Sequence, residues 1–271
     1  MKKLIIILIL ITTSIFAKLN VVVSIQPQVE FVNKIGGDKV DTTLMVLPGK
    51  SPHTYEPKAS QMKAISRANL YLSIGVEFEK AWLDRFKDQN KNLVVFDTSK
   101  DINKTASNPH IWLNPINVKQ IAKNTYQALS QLDSNNTEYY KKNLDNYLIE
   151  LDNLDKNITQ ILKDVPKGSS VMVFHPAWGY FLNQYHLKEI PIEIEGKSPK
   201  PRELIKIIKK AKSEHIRAIF TQPEFSDKSA KIIAKELNIK VIKVSPLAKD
   251  YEKNLLKLAN AIAVVSEDKS K

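Results

Sequence analysis

Residues 116 to 163 hold almost no strand signal, and the longer part of that stretch is the strongest constraint on the fold. From about residue 137 to 164 there is neither Gly nor Pro, and Tyr140, Leu144, Tyr147, Leu148, Leu151, Leu154, Ile158, Ile161 and Leu162 recur at spacings of three and four. That periodicity predicts one uninterrupted amphipathic helix, about 40 Å long at 1.5 Å per residue. Such a rod exceeds the width of one small domain, so the chain on either side of it must be organised in two bodies.

Both flanks read as alternating strands and helices. On the amino-terminal side, short β-branched runs at 19–25, 40–47, 70–74 and 93–96 alternate with helical patterns at 27–35, 58–67 and 79–87, and a helix at 116–131 follows. On the carboxyl-terminal side, strands at 170–174, 218–220 and 239–244 alternate with helices at 177–184, 201–213, 227–237 and 251–265. The expected fold class is α/β: two lobes with mainly parallel sheets flanked by helices, joined by one long rigid helix. The expected division is an amino-terminal lobe at 18–135, a connecting helix at 136–165 and a carboxyl-terminal lobe at 166–271.

Ahead of the first lobe, Lys2-Lys3, an apolar run from Leu4 to Ile11 and Ala17 form the pattern of a cleaved signal peptide at 1–17. The apolar run is much shorter than the roughly 20 residues that cross a bilayer. The chain has no Cys, so neither disulfides nor a lipid-bearing Cys are expected, and the reading is a soluble protein exported to the periplasm. The formal charge of +12 comes from Lys spread over nearly every expected helix among Asp and Glu, with only four Arg. That is a solvated surface rather than a nucleic-acid footprint.

Three of the five His share an unusual context. Ser51-Pro52-His53-Thr54-Tyr55, Asn108-Pro109-His110-Ile111-Trp112 and Phe174-His175-Pro176-Ala177-Trp178 each place a His against a Pro with an aromatic two or three residues on. Pro stiffens the backbone around the ring. His53 and His175 follow expected strands directly, one in each lobe, and ligands of open α/β sheets sit beyond the carboxyl ends of strands. Three imidazoles meeting across a cleft form a site for a divalent transition metal, above all Zn²⁺, which takes nitrogen ligands where Ca²⁺ and Mg²⁺ prefer oxygen. His186 and His215 lack this context and read as structural.

With these segments in view, the chain resembles the solute-binding proteins of zinc or manganese ABC importers. Ile194-Glu195-Gly196-Lys197-Ser198-Pro199 and Ser245-Pro246-Leu247-Ala248 add to the likeness, which runs in order across the mature chain. The resemblance implies His53, His110 and His175 as metal ligands, Zn²⁺ as the transported ligand, and an inner-membrane permease as partner of a monomeric binding protein. Two departures stand out. The family commonly carries an acidic residue where this chain has Ser245, which leaves the fourth position to water or to a carboxylate such as Glu56 or Glu224. There is also no His in residues 97–108, so the His-rich loop of many zinc-specific members is missing. Manganese members tend to use Glu where this chain has His175, and three imidazoles favour zinc.

Other functions on the same residues are a zinc hydrolase and an adhesin. The hydrolase needs a general base beside metal-bound water. No His-Glu-x-x-His pair occurs, and His53-x-x-Glu56 lies in a Pro-bounded loop. The expectation is a binding protein, not an enzyme.

Overall fold

Eight short strands and nine helices alternate along the described residues, which are 18–105, 108–194 and 197–267 of this computed structural model. The expected signal segment at 1–17 lies outside them. The first half runs β1 (Leu19–Val23), α1 (Gln26–Gly36), β2 (Val40–Leu44), α2 (Ala59–Ile65), β3 (Leu70–Ser73), α3 (Glu77–Gln89), β4 (Val94–Asp97) and α4 (Pro115–Leu132). The long helix is α5 (Thr137–Leu162). The second half runs β5 (Ser170–Val173), α6 (Gly179–Gln184), β6 (Lys188–Pro191), α7 (Pro201–Ser213), β7 (Ala218–Thr221), α8 (Lys228–Leu237), β8 (Lys240–Lys243) and α9 (Tyr251–Glu267). No described helix is long and apolar enough to cross a membrane.

The strands form two four-stranded sheets of the same design, ordered β2-β1-β3-β4 and β6-β5-β7-β8, with every pairing parallel. Parallel strands need helical crossovers that cover both faces. The central strands are accordingly apolar throughout: Val21, Val22, Val23, Leu70, Tyr71 and Leu72 are buried in the first sheet, and Met172, Val173, Ile219 and Phe220 in the second.

The expected rod is present, but it is sheathed rather than bare. Its buried stripe of Tyr140, Leu144, Tyr147, Leu151, Leu154, Ile158 and Leu162 packs against α1, α4 and α9. Phe31 of α1 meets Tyr251 of α9 edge to face at 5.2 Å, and the Tyr251 backbone N–H donates to Glu30 at 2.9 Å. The last helix therefore returns from the second half to the first, and one continuous apolar core reaches from β1 through α5 to Trp178 and Phe181. A smaller core around Met172, Ile219 and Ile233 lies under the second sheet.

Two elements differ from the sequence reading. The strand expected at 40–47 ends at Leu44. Met45 and Val46 still bond the carbonyls of Val23 and Ser24, and the chain then turns at Pro48-Gly49, where Gly49 has φ +75°. The strand β6 was not expected at all. Its Lys188-Glu189-Ile190-Pro191 sequence lacks strand character, which an edge position tolerates because only one side is paired.

Candidate metal centre

The loops that follow the carboxyl ends of both sheets converge on one narrow cavity of about 20 Å³. His53 follows β2, His110 follows β4 and His175 follows β5, and all three line it. The space suits about one water-sized particle. An amino acid, sugar or peptide does not fit, but a bare ion does.

Each ring is fixed by its local structure. His110 precedes a single helical turn, Ile111–Leu113, whose three side chains are at most 1% exposed and wedge the segment into the core. Asn114 then caps α4 by accepting the Ile116 N–H at 2.9 Å, with Pro115 in the first turn. His175 is clamped by the buried Gln222 of the neighbouring strand end, which accepts the His175 N–H at 3.2 Å and donates to its carbonyl at 3.0 Å. His53 sits on the Pro52 loop and is the most open of the three, its side chain 34% exposed.

The ring of His175 stands between the other two, with centroids 5.6 Å from His53 and 5.2 Å from His110. Two imidazoles on one tetrahedral ion, bound at about 2.0–2.1 Å, have centroids about 5 Å apart. Among the described residues no three His, Asp or Glu side chains form a finished metal shell, so an ion would be held only after some closure of these loops. His53, on its exposed loop, is the ring freest to close.

A common hydrogen-bond pattern turns the rings toward the cavity. Nδ1 of His53 pairs with Glu77, Nδ1 of His110 with Asn108 Oδ1 at 2.8 Å, and Nδ1 of His175 with Glu193 at 2.5 Å. The backbone N–H of His110 donates to the same Asn108 atom at 3.0 Å, which identifies it as the amide oxygen. With Nδ1 carrying the proton, the lone pair of a neutral ring lies on Nε2, the arrangement that metal-binding His residues use. Nε2 of His175 is buried and has no hydrogen-bond partner.

Electrostatics keep two of these rings neutral. Burial pushes the His110 imidazolium well below its ordinary range, and the nearby His175 and His53 rings push it further. Burial likewise lowers His175, outweighing the opposing pull of Glu193. The His53 contact holds the Glu77 carboxyl below its usual value. Phe225 stacks on His175 at 4.3 Å between centroids, and Trp112, Val76 and Leu247 complete an apolar wall.

The candidates for the fourth position separate clearly. Glu56 is exposed and does not line the cavity. Glu224 does line it, and burial raises its carboxyl above the usual range. Ser245 bonds Glu224 through its hydroxyl but is not on the cavity wall. His186 and His215 do not reach the cavity; both occupy left-handed backbone positions, at φ +59° and +52°. The sequence reading missed the three ring partners. Asn108 was legible in principle, since a side chain two residues before His110 reaches back easily. Glu77 and Glu193 were not, because they reach their rings only through the folding of β3 and β6.

Two α/β halves around a long helix, with imidazoles from both halves meeting in an ion-sized cavity, define a metal-binding protein of the two-lobed solute-binding class. The chain belongs to the family described as "Zinc-uptake complex component A periplasmic", which it matches over residues 21–265. The family is one of substrate-binding proteins of ABC transporters rather than enzymes. The manganese ABC transporter substrate-binding lipoprotein PsaA of Streptococcus mitis is 29% identical over 83% of this chain and 78% of its own length. The high-affinity zinc uptake system protein ZnuA of Bacillus subtilis is 27% identical over 82% of this chain and 76% of its own. A crystal structure of ZnuA superposes with a TM-score of 0.88 at 39% identity, covering 91% of this chain and 98% of that one.

Proposed function

We propose that this protein captures Zn²⁺ in the periplasm with His53, His110 and His175 and delivers it, as a monomer, to the permease of an ABC importer. Residues 1–17 act as the cleaved leader that brings it there. The observation that carries this reading is the shared ring geometry: three imidazoles from both halves line one ion-sized cavity, each with Nδ1 tied outward. A donor set dominated by neutral nitrogen favours Zn²⁺ over Mn²⁺ through ligand softness and intrinsic affinity.

The relative named for zinc uptake and the one named for manganese transport bracket the choice of metal. Metal analysis of the purified mature protein, followed by competitive titration of Zn²⁺ against Mn²⁺, tests it. Zinc is expected to displace manganese stoichiometrically and to be displaced only by a strong chelator. Preferential retention of manganese under equal competition overturns the choice of zinc, and no divalent metal binding at all overturns the function.

A further inference from the structure

We propose that Glu224 supplies the fourth, oxygen ligand to the captured metal and that Ser245 positions it. This rests on the reading of the cavity as a metal site. Glu224 follows the carboxyl end of β7, and its side chain lines the same cavity as the three rings.

Two buried side-chain atoms on residues of that wall have no hydrogen-bond partner: Nε2 of His175 and Oε2 of Glu224. Because Nδ1 of His175 donates to Glu193, Nε2 presents a lone pair. The carboxylate oxygen presents lone pairs as well. Two acceptors cannot satisfy each other, and leaving both unpaired in an apolar enclosure is costly. A cation between them satisfies both at once.

The remaining oxygen donors are already committed. Glu77 is held by His53, and its side chain is 55% exposed. The Ser245 hydroxyl accepts the Leu247 N–H at 3.0 Å and donates to Oε1 of Glu224, and the residue does not line the cavity. Asn254 holds the Ser245 carbonyl at 2.8 Å and fixes the residue that aims the carboxylate. Ser245 thus fixes one oxygen of Glu224 and leaves the other free. One carboxylate with three neutral rings also reduces a divalent charge to +1 inside a wall built from Phe225, Trp112 and Leu247, which lowers the cost of burying the ion.

The test compares metal-free mature wild-type protein with the E224Q, E224A, S245A, S245T and H110A variants. Each is titrated with Zn²⁺ against a chromophoric chelator, then loaded with Co²⁺ for absorption spectroscopy with and without azide. Thermal unfolding of the metal-free forms checks that each variant is folded. Glu224→Gln and Glu224→Ala are expected to lose zinc affinity at least ~10-fold while still binding one ion. Their Co²⁺ spectra are expected to respond to azide because water takes the vacated position, whereas the wild-type spectrum does not respond. Ser245→Ala is expected to lose less affinity, to keep the azide-inert spectrum, and to be rescued by Ser245→Thr. Wild-type zinc affinity in both Glu224 variants, or an azide-responsive wild-type spectrum, overturns Glu224 as ligand and leaves the three-His site standing. If H110A binds zinc like wild type, or wild type binds none, the underlying site is wrong instead.

Discussion

The indole N–H of Trp112 donates to the carbonyl of Pro246 at 2.8 Å, across 134 residues of sequence and in a fully buried setting. One partner lies two residues after His110 and the other directly follows Ser245. The bond therefore ties the cavity-lining loop of the first half to that of the second. Two further links run beside it, Thr105 N–H to the Tyr180 hydroxyl at 2.8 Å and the Asn114 amide to Gln184 at 3.3 Å. Replacing Trp112 by Phe leaves a buried carbonyl unpaired and removes core volume, at a cost of about 2 kcal/mol or more. Urea unfolding of metal-free W112F is expected to show that loss, together with weaker zinc binding because the two loops are no longer held in register. Unchanged zinc affinity in a destabilised W112F separates stability from the site.

The same links, with α5 sheathed by α1, α4 and α9 and free of Gly and Pro, leave little freedom for the halves to swing apart. Small-angle scattering of metal-free and zinc-loaded protein is expected to give nearly the same radius of gyration, with adjustment confined to loops such as that of His53. A large compaction on zinc addition contradicts this and places a hinge in the chain.

His110 is the proposed ligand whose removal tests the site most cleanly. Its ring is held neutral by burial and by the neighbouring rings, so at neutral pH zinc does not compete with a proton there. Its backbone is held by the Ile111–Leu113 wedge rather than by the ring. His110→Ala is expected to lower zinc affinity by orders of magnitude with little change in the far-ultraviolet spectrum. A wild-type calorimetric titration of that variant removes His110 from the shell.

Much of this was visible before the fold. The long helix was legible because nothing interrupts its apolar spacing, and the three His were legible because Pro and an aromatic mark each one. What stayed hidden depended on long-range pairing. Glu193 follows β6, an edge strand whose Lys188 and Pro191 carry no strand signal. Glu77 lies 24 residues from its ring. Glu224 stood among the candidates with no spacing to favour it, since only the parallel register of β7 and β8 brings it beside Ser245.

The ring partners supply a graded test. Asn108 holds both the His110 ring and its backbone N–H. Asn108→Ala frees Nδ1 and lets the ring turn, which is expected to weaken zinc binding by about 10–100-fold. Asn108→Asp retains an acceptor and is expected to recover most of the affinity. Equal affinities for the three proteins in a competitive titration exclude a role for this contact in presenting Nε2.

Glu79 gives a prediction about pH and stability apart from the metal. Its carboxylate accepts the N–H groups of Ile74 and Gly75 at 2.9 and 2.7 Å and the hydroxyl of Ser24. Burial outweighs these bonds and pushes it up to about 7 from an ordinary value of 4.5. Between those two values the folded protein holds a proton that the unfolded chain releases, so stability falls as pH rises through that window and levels off above it. The contribution is present in full below the unfolded value and reaches up to about 3 kcal/mol. Glu189, which accepts the Trp178 N–H at 2.7 Å, is also raised to about 7 by burial and acts in the same direction. Glu79→Gln stays neutral throughout, so urea midpoints measured at pH 5 and pH 8 are expected to fall further for wild type than for E79Q. Parallel pH profiles for the two proteins refute the assignment of this window to Glu79.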